Sequence, residues 1–281
     1  MTFARFRKNR GAMVGVAIVA LLLGFALFGP WLVRHDPLAS DFVHGATREG
    51  LPSPPSGRYL LGADRLFRDQ LARLATGARV SLLIGLAATL IATALGTVVG
   101  VISGYYERRA VDTVLMRVVD VGLAFPFLLL VMAVGAALDR TTATTILVTL
   151  GLTGWLGTAR VVRAKTIQIA HHDFVLAARA LGRSTPGILW RHILPNVLGP
   201  VLVVGTVSVS QMILAESVLS YLGAGIAPPT PTWGHMLFEG QDYFGAAPWL
   251  VAAPAGAILL AVLGFNLVGE GLRDAIDPRQ E

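Results

Sequence analysis

The sequence predicts an all-α, polytopic membrane protein with about six transmembrane helices. Hydrophobic residues make up 54% of the 281 residues and charged residues only 14%, whereas an ordinary soluble domain carries about 25% charged residues. The mean hydropathy is +0.65, and long apolar runs alternate with shorter polar segments. Because about 20 apolar residues are enough to cross a bilayer, each long run is expected to form one span.

The composition also limits the class of function. The chain contains no cysteine, which excludes disulfides and cysteine-ligated metal sites. Its formal charge of +6 is compatible with nucleic-acid binding, but Lys and Arg also collect at the cytosolic ends of membrane helices. We expect the second explanation to hold, with the lipid bilayer around the chain and no nucleic-acid partner.

Residues 11–33 form the first apolar run and contain no charged residue. The segment before them is basic, with Arg5, Arg7, Lys8 and Arg10. Since basic residues favour the cytosolic side, we expect the N-terminus in the cytosol. The apolar core of a cleavable signal peptide is shorter, so this run is interpreted as a retained first span.

The loop of residues 35–76 is polar and rich in proline, and the alternation of spans places it outside the cytosol. The positive-inside rule counts short loops most heavily, so the arginines of this long loop do not contradict that placement. Spacings of three and four residues among Asp64, Arg68, Asp69 and Arg73 allow salt bridges on one helix face. We expect an interfacial structural helix here rather than a ligand site.

The second run, residues 80–104, carries Gly96, Gly100 and Gly104 at intervals of four. In lipid, small residues at this spacing let two helices pack closely. Residues 105–112 follow as a short polar turn, which the alternation of spans places in the cytosol.

The third run, residues 111–138, contains charged residues near its cytosolic end. Arg117 and Asp120 lie about one turn apart. An unpaired charge inside the bilayer is costly, so we expect these two residues to pair or to lie at the interface. Pro126 predicts a kink, because proline removes a helical hydrogen bond.

The remaining runs complete the predicted topology. An external turn is expected at residues 139–142, and the fourth, fifth and sixth spans at residues 144–162, 197–222 and 248–268. Residues 223–247 contain no Lys or Arg, as expected of an external loop. Six spans place both termini in the cytosol.

Two polar residues inside the fifth run, Gln211 and Glu216, are candidates for a functional polar site. A carboxylate within the membrane is a functional candidate by default. A helix–helix hydrogen bond, or a protonated acid that only packs, explains Glu216 equally well, and the sequence leaves these alternatives open.

A polar stretch separates the fourth and fifth runs. Residues 174–181 are predicted to form a short helix that ends at Gly182, because glycine tolerates the left-handed conformation of a helix end. Ser184 and Thr185 then offer a hydroxyl cap, and Pro186 a proline at the first helical position. A second short helix is therefore expected over residues 188–194, up to Pro195. An ordinary cytosolic hairpin is the alternative interpretation of this stretch.

The sequence of this stretch resembles the coupling loop of ABC-importer permeases. Ala177 and Ala178, then Gly182, then Leu194 and Pro195 occur in the family's order. The longer sequence AARALG…RHILPNVLGP is similar to the dipeptide, oligopeptide and nickel branch of that family.

This resemblance implies the type I permease fold of ABC importers. An N-terminal transmembrane helix and external loop would occupy residues 1–79, and the permease core residues 80–281, with the coupling loop at residues 164–196. Further similarity to the family lies at residues 62–81 and 228–234.

The resemblance also implies partners in the cytoplasmic (inner) membrane: a homologous second permease, two nucleotide-binding ATPase subunits and an extracytoplasmic substrate-binding protein. The ATPase subunits would bind ATP and Mg, so no cofactor is expected in this chain. The expected cargo is a dipeptide or an oligopeptide, with nickel chelates or another small solute as the alternative.

By the same resemblance, the coupling loop contacts the ATPase subunit, and the substrate path lies between the two permeases. The residues expected to couple this chain to the ATPase are Ala177, Ala178, Arg179, Gly182, Leu194 and Pro195. Independently of the resemblance, Glu216 and Gln211 are candidates either for the translocation path or for a polar contact within the membrane. The family usually has glutamate where this chain has Leu176, which is a departure from the motif.

Chemistry for ATP hydrolysis is not recognisable in the sequence. Lys165 and Thr166 form the Lys–hydroxyl pair of a phosphate-binding loop, but Ala164 stands where glycine is needed. The adjacent His171 and His172 do not share a helix face, so no metal site is expected. We predict a transport subunit without an enzymatic activity of its own; a secondary transporter driven by an ion gradient is the less favoured alternative.

Overall fold

The computed structural model describes residues 2–33, 35–137 and 142–276, and the regular structure over these residues is helical, without a β-strand. In chain order the elements are α1 (Thr2–Lys8), α2 (Arg10–Leu32), α3 (Gln70–Tyr105), α4 (Ala110–Ala124), α5 (Phe127–Ala136), α6 (Ala143–Thr153), α7 (Trp155–Ala170), α8 (Asp173–Ala180), α9 (Thr185–Ile188), a π-helical turn (Leu189–Ile193), α10 (Leu194–Tyr221), α11 (Trp233–Gly240), a 3-10 turn (Gln241–Tyr243) and α12 (Trp249–Ile276).

Several helical stretches are long and apolar enough to cross a membrane. Among the described residues there are five: Arg10–Leu32, Gln70–Tyr105, Ala143–Ala170, Thr185–Tyr221 and Trp249–Ile276. The pair α4 and α5 is a sixth candidate, bent by 92° at its break. The predicted all-α architecture with about six spans is confirmed.

Helix α3 begins at Gln70 rather than at residue 80, where the second span was predicted to start. The carboxylate of Asp69 caps it by accepting the backbone N–H groups of Leu71 and Ala72 at 2.8 and 3.2 Å. A capping carboxylate of this kind stabilises the first turn of a helix. The domain boundary proposed between residues 79 and 80 therefore falls inside a continuous helix.

The interfacial helix predicted between Asp64 and Arg73 is absent from the structure before Gln70. Phe67 has a φ of 61°, which is outside the helical range, and the Asp64 carboxylate accepts the backbone N–H of Arg68 at 2.9 Å. Arg68 and Arg73 do contact Asp64, at 2.6 and 3.1 Å. A turn, and not one face of a helix, brings these charges together.

Pro126 has a larger effect than the kink predicted from the sequence. Helix α4 ends at Ala124 and α5 begins at Phe127, and the two axes differ by 92°. Proline causes this because it lacks the N–H that would continue the helix and because its ring clashes with the preceding turn.

Arg117 and Asp120 do not pair with each other, so of the two alternatives predicted, pairing or a place at the interface, the first is not observed. Asp120 instead accepts a hydrogen bond from Nη2 of Arg160 at 2.6 Å. The reason is geometric: this carboxylate turns towards α7, which packs against α4. Arg117 remains exposed on α4.

The second short helix of the polar stretch does not end at Pro195. Residues from Thr185 to Tyr221 form one continuous helical stretch, with Pro195 in the first turn of α10 and the π-helical turn Leu189–Ile193 before it. A proline is tolerated in a first helical turn, and the wider π turn precedes it. Thr185 is the first residue of α9, so Pro186 takes the second helical position rather than the predicted first, and the Ser184 side chain makes no capping hydrogen bond.

Helix α3 forms the centre of the bundle, in contact with α2, α6, α7 and α10. The face that carries Gly96, Gly100 and Gly104 lies directly against α7: a Cβ atom at Gly100 would lie 2.6 Å from the carbonyl oxygen of Ala159. The close helix contact predicted from the glycine spacing is therefore confirmed. Most of the turn predicted at residues 139–142 lies outside the described residues.

Candidate coupling segment and polar groups of the bundle

Helix α8 has two different faces. Val175 and Ala178 are buried against an apolar cluster that also contains Ile169 and Ile188. Ala177 and Arg179 lie on the exposed face. The two adjacent alanines of the predicted motif therefore differ in role, since Ala178 seats the helix on the protein whereas Ala177 is open to a partner.

Gly182 ends this helix in the left-handed conformation, with a φ of 75°. The backbone N–H of Arg183 donates to the carbonyl of Ala178 at 3.1 Å, a pattern that needs a left-handed residue at this position. No atom lies within 4 Å of the place where a Cβ would be. Glycine is therefore required by the backbone conformation alone, as the sequence predicted, and not by lack of space.

Several large apolar side chains within and after α8 are exposed to solvent. Leu181 is 88% exposed and Trp190 is 76% exposed, and Phe174 and Leu176 are also exposed. Large apolar side chains exposed close together along the chain are a common feature of interaction sites. We refer to Phe174, Leu176, Leu181 and Trp190 as the exposed apolar face.

Leu194 and Pro195, the other predicted coupling residues, lie at the start of α10. Leu194 packs against the apolar cluster below α8, whereas Pro195 is exposed. The six predicted coupling residues thus come from both sides of the turn at Gly182.

Asp112 connects three helices, and it was not identified from the sequence. Its carboxylate accepts two hydrogen bonds from Arg163 of α7, at 2.7 and 2.8 Å. It also accepts hydrogen bonds from the hydroxyl of Ser103 and the backbone N–H of Arg108. The end of α3, the start of α4 and the middle of α7 are therefore held together.

Glu216 is completely buried within the bundle. Its two carboxylate oxygens accept hydrogen bonds from the hydroxyls of Ser81 at 2.9 Å and Ser220 at 2.8 Å. The Ser81 oxygen in turn accepts the backbone N–H of Trp233 at 3.3 Å. These contacts join α10 to α3 and α11, and they favour the packing interpretation of Glu216.

Gln211 lies on a different face of α10 from Glu216. It borders a cavity of about 450 Å³ between α4, α5, α7 and α10 whose other walls are mainly apolar, including Leu123, Phe127 and Met212. Gln211 is exposed to this cavity, and Glu216 is not among the residues that line it. The structure thus separates the two residues that the sequence had grouped together.

A buried group of charges lies at the opposite end of the bundle from α8. Glu239 of α11 contacts Arg68 at 3.1 Å and Arg65 at 3.3 Å, and it also accepts a hydrogen bond from Arg73. Burial opposes ionisation of Glu239, but the charges of Arg73 and Arg68 outweigh it, so the pKa of this carboxyl lies below its ordinary value. Sequence analysis missed Glu239 because it is remote along the chain from the arginines.

Comparison with known proteins decides the family. Residues 96–281 match the family described as the binding-protein-dependent transport system inner membrane component. The chain belongs to this family. Residues 1–49 of the permease also match the N-terminal transmembrane domain of oligopeptide transport permease C, which extends the similarity to the first span.

Individual relatives of the permease align over nearly its whole length. It is 38% identical to the oligopeptide transport system permease protein OppC of Bacillus subtilis, over 98% of this chain and 88% of the relative. Identity is 39% to the di/tripeptide transport system permease protein DppC of Pseudomonas aeruginosa, over 98% and 90%, and 40% to OppC of Escherichia coli, over 98% and 89%. The family predicted from the coupling-loop motif, a permease of ABC importers, is confirmed, and the protein is a multi-pass component of the inner membrane.

Proposed function

We propose that the chain is the permease subunit of an ATP-driven importer that carries dipeptides or oligopeptides across the cytoplasmic membrane. The observation that carries this proposal is the similarity over 98% of the chain to permeases named for oligopeptide and di/tripeptide transport. The cavity beside Gln211, with apolar walls and few polar groups, supports it, since peptides with variable side chains require loose apolar contact rather than a tight polar pocket.

The proposed assembly contains a second, homologous permease, two nucleotide-binding subunits and an extracytoplasmic substrate-binding protein. ATP and Mg bind to the nucleotide-binding subunits and not to this chain, which supplies the path and the coupling surface. The basic segment before α2 supports a cytosolic N-terminus. With six crossings, the C-terminus and α8 are also cytosolic.

The proposed mechanism transmits motion of the nucleotide-binding subunits through α8. The exposed apolar face is the surface that a nucleotide-binding subunit covers, and the leucine at position 176 adds apolar area where the family usually has glutamate. Val175 and Ala178 fix α8 to the bundle, and Asp112 holds α3, α4 and α7 together. A displacement of α8 therefore moves these helices as a unit and opens or closes the path beside Gln211.

The test is substitution of Leu181 by aspartate in the complete importer. Leu181 makes little contact within the chain, so Leu181→Asp leaves insertion and folding intact. A charge placed in an apolar interface costs several kcal/mol unless it is paired. We therefore expect loss of co-purification of the nucleotide-binding subunits and at least about a tenfold loss of peptide uptake.

Leu60→Asp is the matched control, because Leu60 is 65% exposed but lies in the loop before α3. This variant should keep the nucleotide-binding subunits bound. If Leu181→Asp retained both binding and uptake, the coupling role of this face would be refuted.

A further inference from the structure

A polar cavity of about 380 Å³ lies between the end of α3 and the coupling segment. Its walls carry Arg109, Arg179 and Arg183, against a single acidic residue, Glu107. Glu107 contacts the neighbouring Arg108 at 3.7 Å. Within the described part of the chain, none of the three lining arginines forms an ion pair with a carboxylate. The cavity therefore has an excess of positive charge that the chain itself does not neutralise.

Two of these arginines are positioned by aromatic rings. Cζ of Arg179 lies 5.3 Å from the ring centre of Tyr105, and Cζ of Arg109 lies 5.6 Å from that of Tyr106. The two rings meet edge to face with their centres 5.3 Å apart. A cation–π contact holds a guanidinium group without neutralising it. The N–H groups at the guanidinium edge remain available for bidentate contact with an anion.

The position of the cavity indicates the source of that anion. Tyr105 is the last residue of α3, directly after the apolar part of this span, and polar residues follow it. Tyrosine is enriched at this level of membrane helices, where the hydrocarbon gives way to headgroups. The lining arginines are thus within reach of the headgroup layer.

We propose that this cavity binds the phosphodiester headgroup of an anionic phospholipid. Arg109 and Arg183 donate hydrogen bonds to the phosphate oxygens from opposite sides of the cavity, and Arg179 adds a third positive charge. Basic pockets between membrane helices on the cytoplasmic side bind such headgroups. The bound lipid bridges α8 to the end of α3 and so stabilises the position of the coupling segment. This inference goes beyond the proposed transport role and does not depend on the cargo.

The experiment measures lipid binding to the purified full-length chain in a non-ionic detergent by native mass spectrometry. Phosphatidylglycerol and phosphatidylcholine are titrated separately, and we expect a clear preference for phosphatidylglycerol. Each basic residue near a membrane surface contributes about fivefold in affinity for anionic lipid. Arg109→Gln and Arg183→Gln should therefore each weaken phosphatidylglycerol binding by about fivefold and leave phosphatidylcholine binding unchanged.

Arg108→Gln is the matched control. Arg108 is the direct neighbour of Arg109, but its side chain is 91% exposed and does not line the cavity. It removes the same charge at the same membrane level, so retention of phosphatidylglycerol binding in this variant supports a defined site. An equal loss in Arg108→Gln would show diffuse attraction to the surface and overturn the proposal.

Competition by inorganic phosphate and the behaviour of the two variants distinguish other occupants of the cavity. Displacement of phosphatidylglycerol by millimolar inorganic phosphate would assign the cavity to a free anion and overturn the lipid source. Phosphatidylglycerol binding that stays unchanged in both cavity variants, with weaker binding of the nucleotide-binding subunits, would assign it to a protein contact. Failure of phosphate to compete, together with loss of lipid binding in both variants, supports the proposal.

Discussion

At the scale of single residues, neighbouring positions of the coupling segment carry different physical requirements. Ala178 must be small because it lies on the buried face of α8, and Gly182 must adopt a positive φ in open space. Leu181, between them, has almost no contact within the chain. Substitutions at these positions should therefore fail in different ways, through packing, backbone strain or loss of an interface.

The first prediction concerns the backbone conformation at Gly182. A β-branched residue disfavours the left-handed region, at a cost of roughly 1–2 kcal/mol, whereas asparagine tolerates it. Gly182→Val should therefore reorient the chain after α8 and lower peptide uptake about tenfold, while Gly182→Asn keeps uptake within about twofold of wild type. The measurement is the initial uptake rate per folded permease. Equal losses of uptake in both variants would show that side-chain volume, and not the φ angle, limits which residues position 182 accepts.

The second prediction concerns His235, which is packed beside the buried charges. Burial lowers the pKa of His235, and the nearby charges of Arg73, Arg65 and Arg68 add to this against the opposing effect of Glu239. The folded protein therefore binds a proton at this ring less readily than the unfolded chain does. Unfolding takes up a proton below about pH 6.5, so the free energy of unfolding falls as the pH falls through that range.

His235→Gln removes this proton uptake. Thermal unfolding of the full chain in detergent, followed by tryptophan fluorescence, should show a smaller drop in Tm between about pH 7.5 and about pH 5.5 than in wild type. An unchanged slope in His235→Gln would contradict the prediction.

Some residues of the candidate site could be identified from sequence and others could not. Gly182 was predictable because its role is local: a helix ends there and the backbone must turn. Glu216 could be singled out but not interpreted, since its partner Ser81 is 135 residues away along the chain. Glu239 was missed for the same reason, because the positive charges that surround it come from before and within α3.

At the scale of elements, close contact between α3 and α7 organises the bundle. A Cβ at Gly100 would lie 2.6 Å from the backbone oxygen of Ala159 and 2.7 Å from Cβ of Val162. Neither atom can move without displacement of α7. The small residues therefore set the distance between the two helices, which in lipid is the main source of helix association.

The third prediction tests this contact with Gly100→Val. Overpacking of a close-packed interface costs about 1–3 kcal/mol, so the variant should show a lower Tm and a lower yield of folded protein in detergent. Gly24→Val in α2 is the control, because no atom lies within 4 Å of the Cβ position there. A Tm as high as that of the control would contradict the proposed role of the interface.

The helix boundaries show where sequence rules are sufficient. The spans were predictable because their apolar length is a property of the local sequence. The start of α3 was not predictable in this way. A buried helix does not accommodate the unpaired charge of Arg73, and its partners Asp64 and Glu239 come close only in the folded chain. Pro195 was misjudged because a proline in a first helical turn is compatible with continuation after the π-helical turn.

At the scale of the whole molecule, the arrangement of charges argues against coupling to a proton gradient. A proton-driven transporter uses a protonatable group that is accessible from the path. The carboxylate of Glu216 is fully buried and bonded to Ser81 and Ser220, away from the cavity beside Gln211. The exposed apolar face, by contrast, lies on the surface of the chain and has no partner there among the described residues.

The fourth prediction is therefore that transport depends on ATP and on the partner subunits. Proteoliposomes that contain the complete importer, with ATP on the nucleotide-binding side and the binding protein on the other, should accumulate labelled tripeptide. A protonophore should change the initial rate by less than about twofold, because no proton movement is coupled to the step. Liposomes that contain this chain alone should show no uptake above empty vesicles. Glu216→Gln in the complete importer should keep the KM for peptide, since its side chain does not border the path. Uptake by the isolated chain under an imposed proton or sodium gradient would instead show a secondary transporter. Such a result would refute the proposed coupling of α8 to an ATPase subunit.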